Sequence, residues 1–330
     1  MTKRKKIIWL LVCLAILAVA FLAWWLINKK KFDTTVPMVA GVESNNIDAN
    51  AVLLADSDKD GLKDWEETLW KTDPSNPDSD SDSTSDGEEI KSGRDPLKKG
   101  PNDKLSQEDI QKKVVATTTE EDLTETDKFA REFFATYLSS QQSGEPIDQA
   151  DYEKLLQEYL AEAQNKSDVR FYGASDFTVS TNETRDSIKR YGNDLANIFL
   201  KKQGEMNLEN EVVIIDRYTK NNDPKELEKL KPLEEKYQKI ETGLSEMNVP
   251  RSALILHIEL INAISATKEG ILAMQAVVTD PLRAIAGLNS YPDASGNIVP
   301  ALRLVKKYLL DEKGVVFAQG DDGYVLFNAL

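Results

Sequence analysis

Acidic residues recur with a fixed shift of 22 positions near the start of the chain, and this repeat constrains the fold more than any other feature. Carboxylates fall at positions 1, 3, 5, 9 and 12 of each loop: Asp56, Asp58, Asp60, Asp64 and Glu67 in the first, and Asp78, Asp80, Asp82, Asp86 and Glu89 in the second. Position 6 of the first loop is Gly61, and position 7, which offers its backbone carbonyl, is Leu62 in the first loop and Thr84 in the second. This is the spacing of an EF-hand calcium loop, so the sequence predicts two Ca²⁺ sites.

The second loop departs from the pattern at position 6, where Ser83 replaces glycine. A residue with a side chain held at positive φ costs about 1 to 2 kcal/mol, so we expect a weaker or differently shaped second site. An Asp-Pro pair follows each loop, at Asp73 and at Asp95. With these turns, residues 56–97 resemble bacterial thrombospondin type 3 calcium-binding repeats. The resemblance implies that the loop carboxylates bind Ca²⁺ and that Asp73 and Asp95 can add ligands between successive sites.

The repeat has few apolar residues, so its folding is expected to depend on the ion. Between residues 56 and 100, 14 acids face seven bases and would repel one another without a cation. The alternative is a disordered acidic tether with no role in ion binding.

Residues 7–27 form an uncharged apolar run of 21 residues, long enough to cross a bilayer as a helix. Basic residues flank the run and tryptophans lie near both of its ends, as is typical of a membrane anchor. A cleaved signal peptide is the alternative, but the apolar run continues past the small residues Ala18 to Ala20. We therefore expect a single-pass cell-membrane protein with residues 1–6 as a cytoplasmic tail, 28–55 as a linker and the rest of the chain outside the cytoplasm.

The chain carries 41 Lys and Arg against 56 Asp and Glu, a net charge of −15. Seven of the bases lie in the first 31 residues, which leaves 34 bases against 56 acids, or −22, in the remainder. Such an excess of acid excludes nucleic acid as an expected partner. The only cysteine, Cys13, falls inside the apolar run, so no thiol chemistry is expected beyond it.

A second linker, 98–105, precedes a region whose apolar residues follow helical spacing, and residues 106–330 are predicted as an α-helical ectodomain. Helices are expected around 129–138, 152–160, 188–199, 227–244, 251–279 and 300–310, with a start at Asp223, a kink or split at Pro232 and another start at Asp280. A short strand is expected within 171–179, and a β-hairpin at 315–317 and 324–327. The predicted fold class is mainly α: a membrane helix, a calcium-loop stalk and a helical bundle with a small terminal hairpin.

The sequence gives little sign of catalysis. His257 is the only histidine, which excludes a two-histidine zinc motif, and its place in an apolar helix favours a hydrogen-bonded core or surface residue over a catalyst. The predicted function is therefore a non-catalytic envelope protein whose stalk presents the helical domain to a protein or cell-wall partner. The alternative is a glycan hydrolase that uses paired carboxylates, with Glu132, Glu153 and Glu158 as candidates.

Overall fold

The computed structural model describes residues 49–106, 108–110, 123–143, 149–165, 169–201 and 208–330. The predicted tail, membrane segment 7–27 and most of linker 28–55 lie outside these residues. No helix in the described ranges has both the length and the apolar character needed to cross a membrane.

The described chain is mainly helical, as the sequence predicted. The α-helices are α1 Ala49–Leu53, α2 Asp64–Trp70, α3 Asp86–Lys91, α4 Glu125–Ser143, α5 Gln149–Asn165, α6 Arg185–Lys201, α7 Glu211–Asn221, α8 Lys231–Ser245, α9 Leu254–Gln275, α10 Pro281–Gly296, α11 Ile298–Lys307 and α12 Asp322–Ala329. Short 3₁₀ turns lie at Ala174–Asp176, Pro224–Leu230 and Arg251–Ala253, and a π turn at Tyr308–Glu312 extends α11. Two strands, β1 Thr178–Ser180 and β2 Asn248–Pro250, pair in parallel with Val179 opposite Val249.

Helix α9 lies at the centre of the fold. It packs against α8, α10 and α11, and apolar residues on most of its faces are fully buried, including Leu260, Ile264 and Ile271. Its apolar character all round is that of an internal helix. Close packing with α10 depends on Gly287, where an added Cβ would lie 2.2 Å from the Cβ of Ala273.

The predicted helix boundaries near proline are confirmed. Asp223 accepts a hydrogen bond from the Lys225 amide and begins the turn Pro224–Leu230, and α8 begins anew beside Pro232. Asp280 caps α10, whose first residue is Pro281. These starts follow from local chemistry, because an acceptor side chain satisfies free amides and proline fits the first helical turn.

The first acidic repeat is packed onto the helical domain, so the expectation of a separate stalk is wrong here. The ring of Trp65 lies edge-on to Phe129 at 6.2 Å, and Trp70 lies edge-on to Phe134 at 5.0 Å. Both tryptophans are buried in the same apolar core as the helices. The repeat is too small to bury the apolar residues of α2 by itself, so these residues pack against α4 instead.

Both predicted linkers contain ordered structure where they are described. Helix α1 lies within 28–55, and its Val52 is buried. The segment 98–105 folds back on the second loop: Asp95 donates its amide to the Asp103 carbonyl at 2.7 Å, and Arg94 forms an isolated antiparallel bridge with Lys104.

The predicted C-terminal β-hairpin is wrong, because residues 322–329 form α12. Side chains of α6 satisfy the start of this helix: Asn193 accepts from the Gly323 amide at 2.9 Å, and Asn197 donates to Asp322 at 2.9 Å. Leu326 and Phe327 bury one helical face. The short apolar run is compatible with the residue spacing of a strand and with that of a helix, and the tertiary contacts favour the helix.

Two smaller elements complete the comparison with the sequence. Strand β1 overlaps the end of the predicted strand 171–179. Helix α7 was not predicted, although Asn210 caps it by accepting from the Val212 amide at 2.8 Å and Ile214, Ile215 and Tyr218 bury one face.

Asp280 joins the starts of two helices, and its loss is expected to weaken both. Its carboxylate accepts from the α4 amides of Glu125 and Thr126, at 3.0 Å each, as well as capping α10. We expect Asp280→Ala to lower the free energy of unfolding by about 2 to 4 kcal/mol, because each cap contributes about 1 kcal/mol and buried donors are left unpaired. Asp223→Ala, an exposed single cap, should cost about 1 kcal/mol or less. Equal losses in chemical denaturation would contradict this double role.

His257 is expected to make stability depend on pH. Its Nε2 lies 2.9 Å from the Leu244 carbonyl, which only accepts, so Nε2 carries a proton, and Nδ1 faces the Tyr191 hydroxyl at 3.2 Å. Burial lowers the pKa of His257 to about 4. The unfolded chain therefore binds the proton first, and this contribution to stability is lost as pH falls from about 6.5 to about 4.

The measurement is the free energy of unfolding of the wild type and of His257→Gln across that range. The difference between them should shrink as the pH falls. A difference that stays constant with pH would contradict the assignment of a buried neutral imidazole.

Candidate metal centre

The two acidic loops have the same backbone conformation. Left-handed residues recur with the 22-residue shift: Lys59 and Ser81 at φ 66° and 61°, Gly61 and Ser83 at 96° and 81°, and Lys71 and Gly93 at 67° and 71°. Ser83 thus adopts the conformation that its glycine counterpart takes at position 6. The repeat seen in the sequence is a repeat of structure.

The position-9 carboxylates hold the loops closed. Asp64 accepts from the amide and the hydroxyl of Ser57, at 2.8 Å each, and Asp86 accepts from Ser79 at 3.0 and 2.6 Å. These residues were predicted as ion ligands at position 9. In the structure both of their oxygens accept hydrogen bonds from the serine at position 2, and these bonds join each loop to the helix that follows.

The carboxylates at positions 1, 3 and 5 converge within each loop. One oxygen from each of Asp56, Asp58 and Asp60 lies within 4.8 Å of the others, and Asp78, Asp80 and Asp82 form a matching group. Backbone amides of the loops hold these side chains in place: Gly61 donates to Asp56 at 3.2 Å and Ser83 to Asp78 at 2.9 Å.

Each position-5 carboxylate also binds the segment that follows its repeat. Asp60 accepts from the Gly87 amide at 2.6 Å, and Asp82 accepts from the Gly100 amide at 2.7 Å. Gly87 cannot carry a side chain in this arrangement, because a Cβ there would lie 2.6 Å from the Asp60 carbonyl oxygen. The first loop is thereby connected to the start of α3.

The position-12 glutamates are fully enclosed. Glu67 and Glu89 are each 0% exposed. Six carboxylate oxygens of the two loops are buried and accept no hydrogen bond: Asp56 Oδ1, Asp58 Oδ2, Glu67 Oε2, Asp80 Oδ2, and both Oε1 and Oε2 of Glu89. A buried charged oxygen without a donor is costly, and such groups normally pair or coordinate a metal.

The electrostatic strain of this arrangement appears in the acid pKa values. Burial, with the nearby carboxylates of Asp58 and Asp60, raises the pKa of Glu67 to about 9. Burial and the carboxylates of Asp80 and Asp82 raise the pKa of Glu89 to about 7. Burial likewise raises the pKa of Asp58 to about 6. A bound cation would favour the ionised forms.

Other predicted ligands have local roles. Asp73 accepts from the amide and hydroxyl of Ser75 at 3.0 and 2.7 Å, and these bonds lower its pKa. Asp95 accepts from the Leu97 amide at 3.3 Å. Both acids thus stabilise the Asp-Pro turns and stand outside the acid groups found in the described residues. At position 7, Leu62 and Thr84 donate their amides to Asp60 and Asp82, at 2.8 and 2.9 Å.

One acid of the centre was not predicted. Asp103 is 2% exposed and has a carboxylate oxygen within 4.8 Å of those of Asp82 and Glu89. It lies in a segment taken for a linker, beyond the last Asp-Pro turn, so the repeat pattern carried no signal for it.

The carboxylates considered for glycan hydrolysis are on exposed helix surfaces. Glu132 on α4 and Glu153 and Glu158 on α5 are all exposed, and Glu158 lies 3.8 Å from Lys154.

Comparisons of the chain with protein-family models, with curated proteins and with solved structures found no match. The interpretation of the centre therefore depends on the chain's own residues.

Ser83 offers a direct test of the loop geometry. Since Ser83 holds a φ of 81°, we expect Ser83→Gly to raise the free energy of unfolding by up to about 1 kcal/mol, the relief of left-handed strain exceeding the backbone entropy of glycine. Ser92→Gly, at an ordinary φ of −90°, should lower it. Thermal unfolding of both variants checks this, and destabilisation by Ser83→Gly would contradict it.

Proposed function

We propose that the protein is a non-catalytic, calcium-binding envelope protein whose acidic loops hold Ca²⁺ and thereby fix the N-terminal repeat to a helical interaction domain. The observation that supports this most is the set of six buried carboxylate oxygens that accept no hydrogen bond. They belong to two loops with the same backbone, which makes a chance grouping of surface acids a poor explanation.

The donor set fits a hard divalent cation. Calcium takes six to eight oxygen ligands and tolerates irregular geometry, which suits flexible aspartates around a buried glutamate. The first site would use Asp56, Asp58, Asp60 and Glu67, and the second would use Asp78, Asp80, Asp82 and Glu89. The ion would supply the positive charge that balances these carboxylates.

The position of α2 gives the ion a structural consequence. Glu67 lies on α2 between Trp65 and Trp70, whose rings pack on α4, and Lys71 pairs with Asp127 of α4 at 2.9 Å. Neutralising Glu67 would therefore stabilise the helix that carries these contacts. In this proposal calcium holds the repeat against the helical domain.

We further propose that residues 7–27 anchor the protein in a lipid bilayer and that the remainder faces the exterior, where calcium is abundant. The support is the uncharged length of this run and its flanking lysines. The helical domain would then bind a protein or cell-wall component of the envelope. The net charge of −22 beyond the first 31 residues argues against a nucleic-acid partner.

Thermal unfolding of the full chain with a chelator and with calcium tests the ion. Saturating calcium should raise the midpoint, since a ligand at 100 times its dissociation constant stabilises the fold by about 2.7 kcal/mol. Glu67→Gln should unfold at a higher temperature than wild type in chelator, because a buried charge is removed, and should lose much of the gain from calcium.

Glu88→Gln is the matched control, since Glu88 is an exposed acid on α3 beside the ligand Glu89. It should respond to calcium as the wild type does. An unchanged wild-type midpoint up to about 10 mM calcium, beyond the weakest extracellular calcium modules, would refute the proposal.

A further inference from the structure

A cation lies beside the position-12 glutamate of the second loop, and the matching place in the first repeat has none. Arg94 Nη1 lies 3.2 Å from Asp103 Oδ2 and 3.8 Å from Glu89 Oε1. The residue at the matching place in the first repeat is Thr72, whose hydroxyl lies 3.4 Å from Glu67 Oε1. One position-12 glutamate thus has a neutral neighbour, and the other has a guanidinium.

The same loop has an additional acid. Asp103 brings a carboxylate oxygen within 4.8 Å of Asp82 and Glu89, and the matching place in the first repeat is Ser81. Backbone hydrogen bonds fix the chain around Asp103. Its carbonyl accepts from the Asp95 amide at 2.7 Å, and the Leu105 amide donates to the Gly93 carbonyl at 3.0 Å.

The enclosed glutamate points to a ligand at this place. Glu89 is 0% exposed, and neither of its carboxylate oxygens accepts a hydrogen bond. Arg94 approaches one of these oxygens only at 3.8 Å, too far for a hydrogen bond. One guanidinium also leaves a net charge of −2 on the group of Asp82, Glu89 and Asp103, which a divalent cation would balance.

We propose that Asp103 is a ligand of a divalent cation in the second loop and that the guanidinium of Arg94 competes with the cation there. This inference rests on the proposed function, since it requires that the loops bind calcium. Its consequence is that the two loops differ in affinity, with the second the weaker because its cation must displace Arg94 from Glu89 and Asp103.

The test is calorimetric titration of the full chain with calcium chloride, comparing the wild type with three variants. Arg94→Thr places in the second loop the residue that the first loop has there. It should tighten the weaker binding phase by about tenfold, equivalent to 1.4 kcal/mol, and leave the stronger phase unchanged. Asp103→Asn should weaken the same phase by tenfold or more. Glu88→Gln, which removes an exposed charge next to Glu89, should change neither phase.

The opposite results separate the two proposals. Wild-type binding in two phases with an Asp103→Asn variant indistinguishable from it would overturn Asp103 as a ligand while leaving calcium binding intact. Weaker binding in Arg94→Thr would overturn the competition. The expected gain in affinity is the informative result, because a folding defect could not produce it. A wild type that takes up no calcium would overturn the proposed function and this inference together.

Discussion

Repulsion among enclosed carboxylates governs the N-terminal part of this structure. Each loop directs three aspartates toward a common point and places a fully buried glutamate behind them. Backbone amides and serines satisfy some of the oxygens, but six of them accept no hydrogen bond. Arg94, beside the second loop, is a cation near these oxygens, and in our proposal Ca²⁺ supplies the remaining positive charge.

This local constraint reaches the helical domain through α2. Trp65, Glu67 and Trp70 share that short helix, so the buried glutamate lies between two residues whose rings pack against α4. The domain has its own organising centre in α9 and in the Asp280 carboxylate, which joins the starts of α4 and α10. Because α4 contacts both parts, the repeat and the domain share one apolar core.

Features with a local cause could be predicted from the sequence. The loop registers, the helix start at Asp280 and the break before Pro232 each follow from side chains within a few residues of the feature. Features decided by distant partners could not. The terminal segment became α12 because Asn193 and Asn197 of α6 bind its first turn, and Asp103 joined the second loop through a fold-back that no repeat pattern encodes.

The hydrogen bonds of the loop acids also went beyond what spacing indicates. Spacing and the resemblance assigned ten loop acids, Asp73 and Asp95 to the ion, and in the structure Asp64 and Asp86 also close the loops and Asp73 also stabilises a turn. The most direct measurement of the central claim is equilibrium dialysis of the metal-free chain against radioactive calcium. The account predicts saturable uptake of two ions per chain, one for each acidic loop. Uptake that rises in proportion to free calcium without saturating would contradict it.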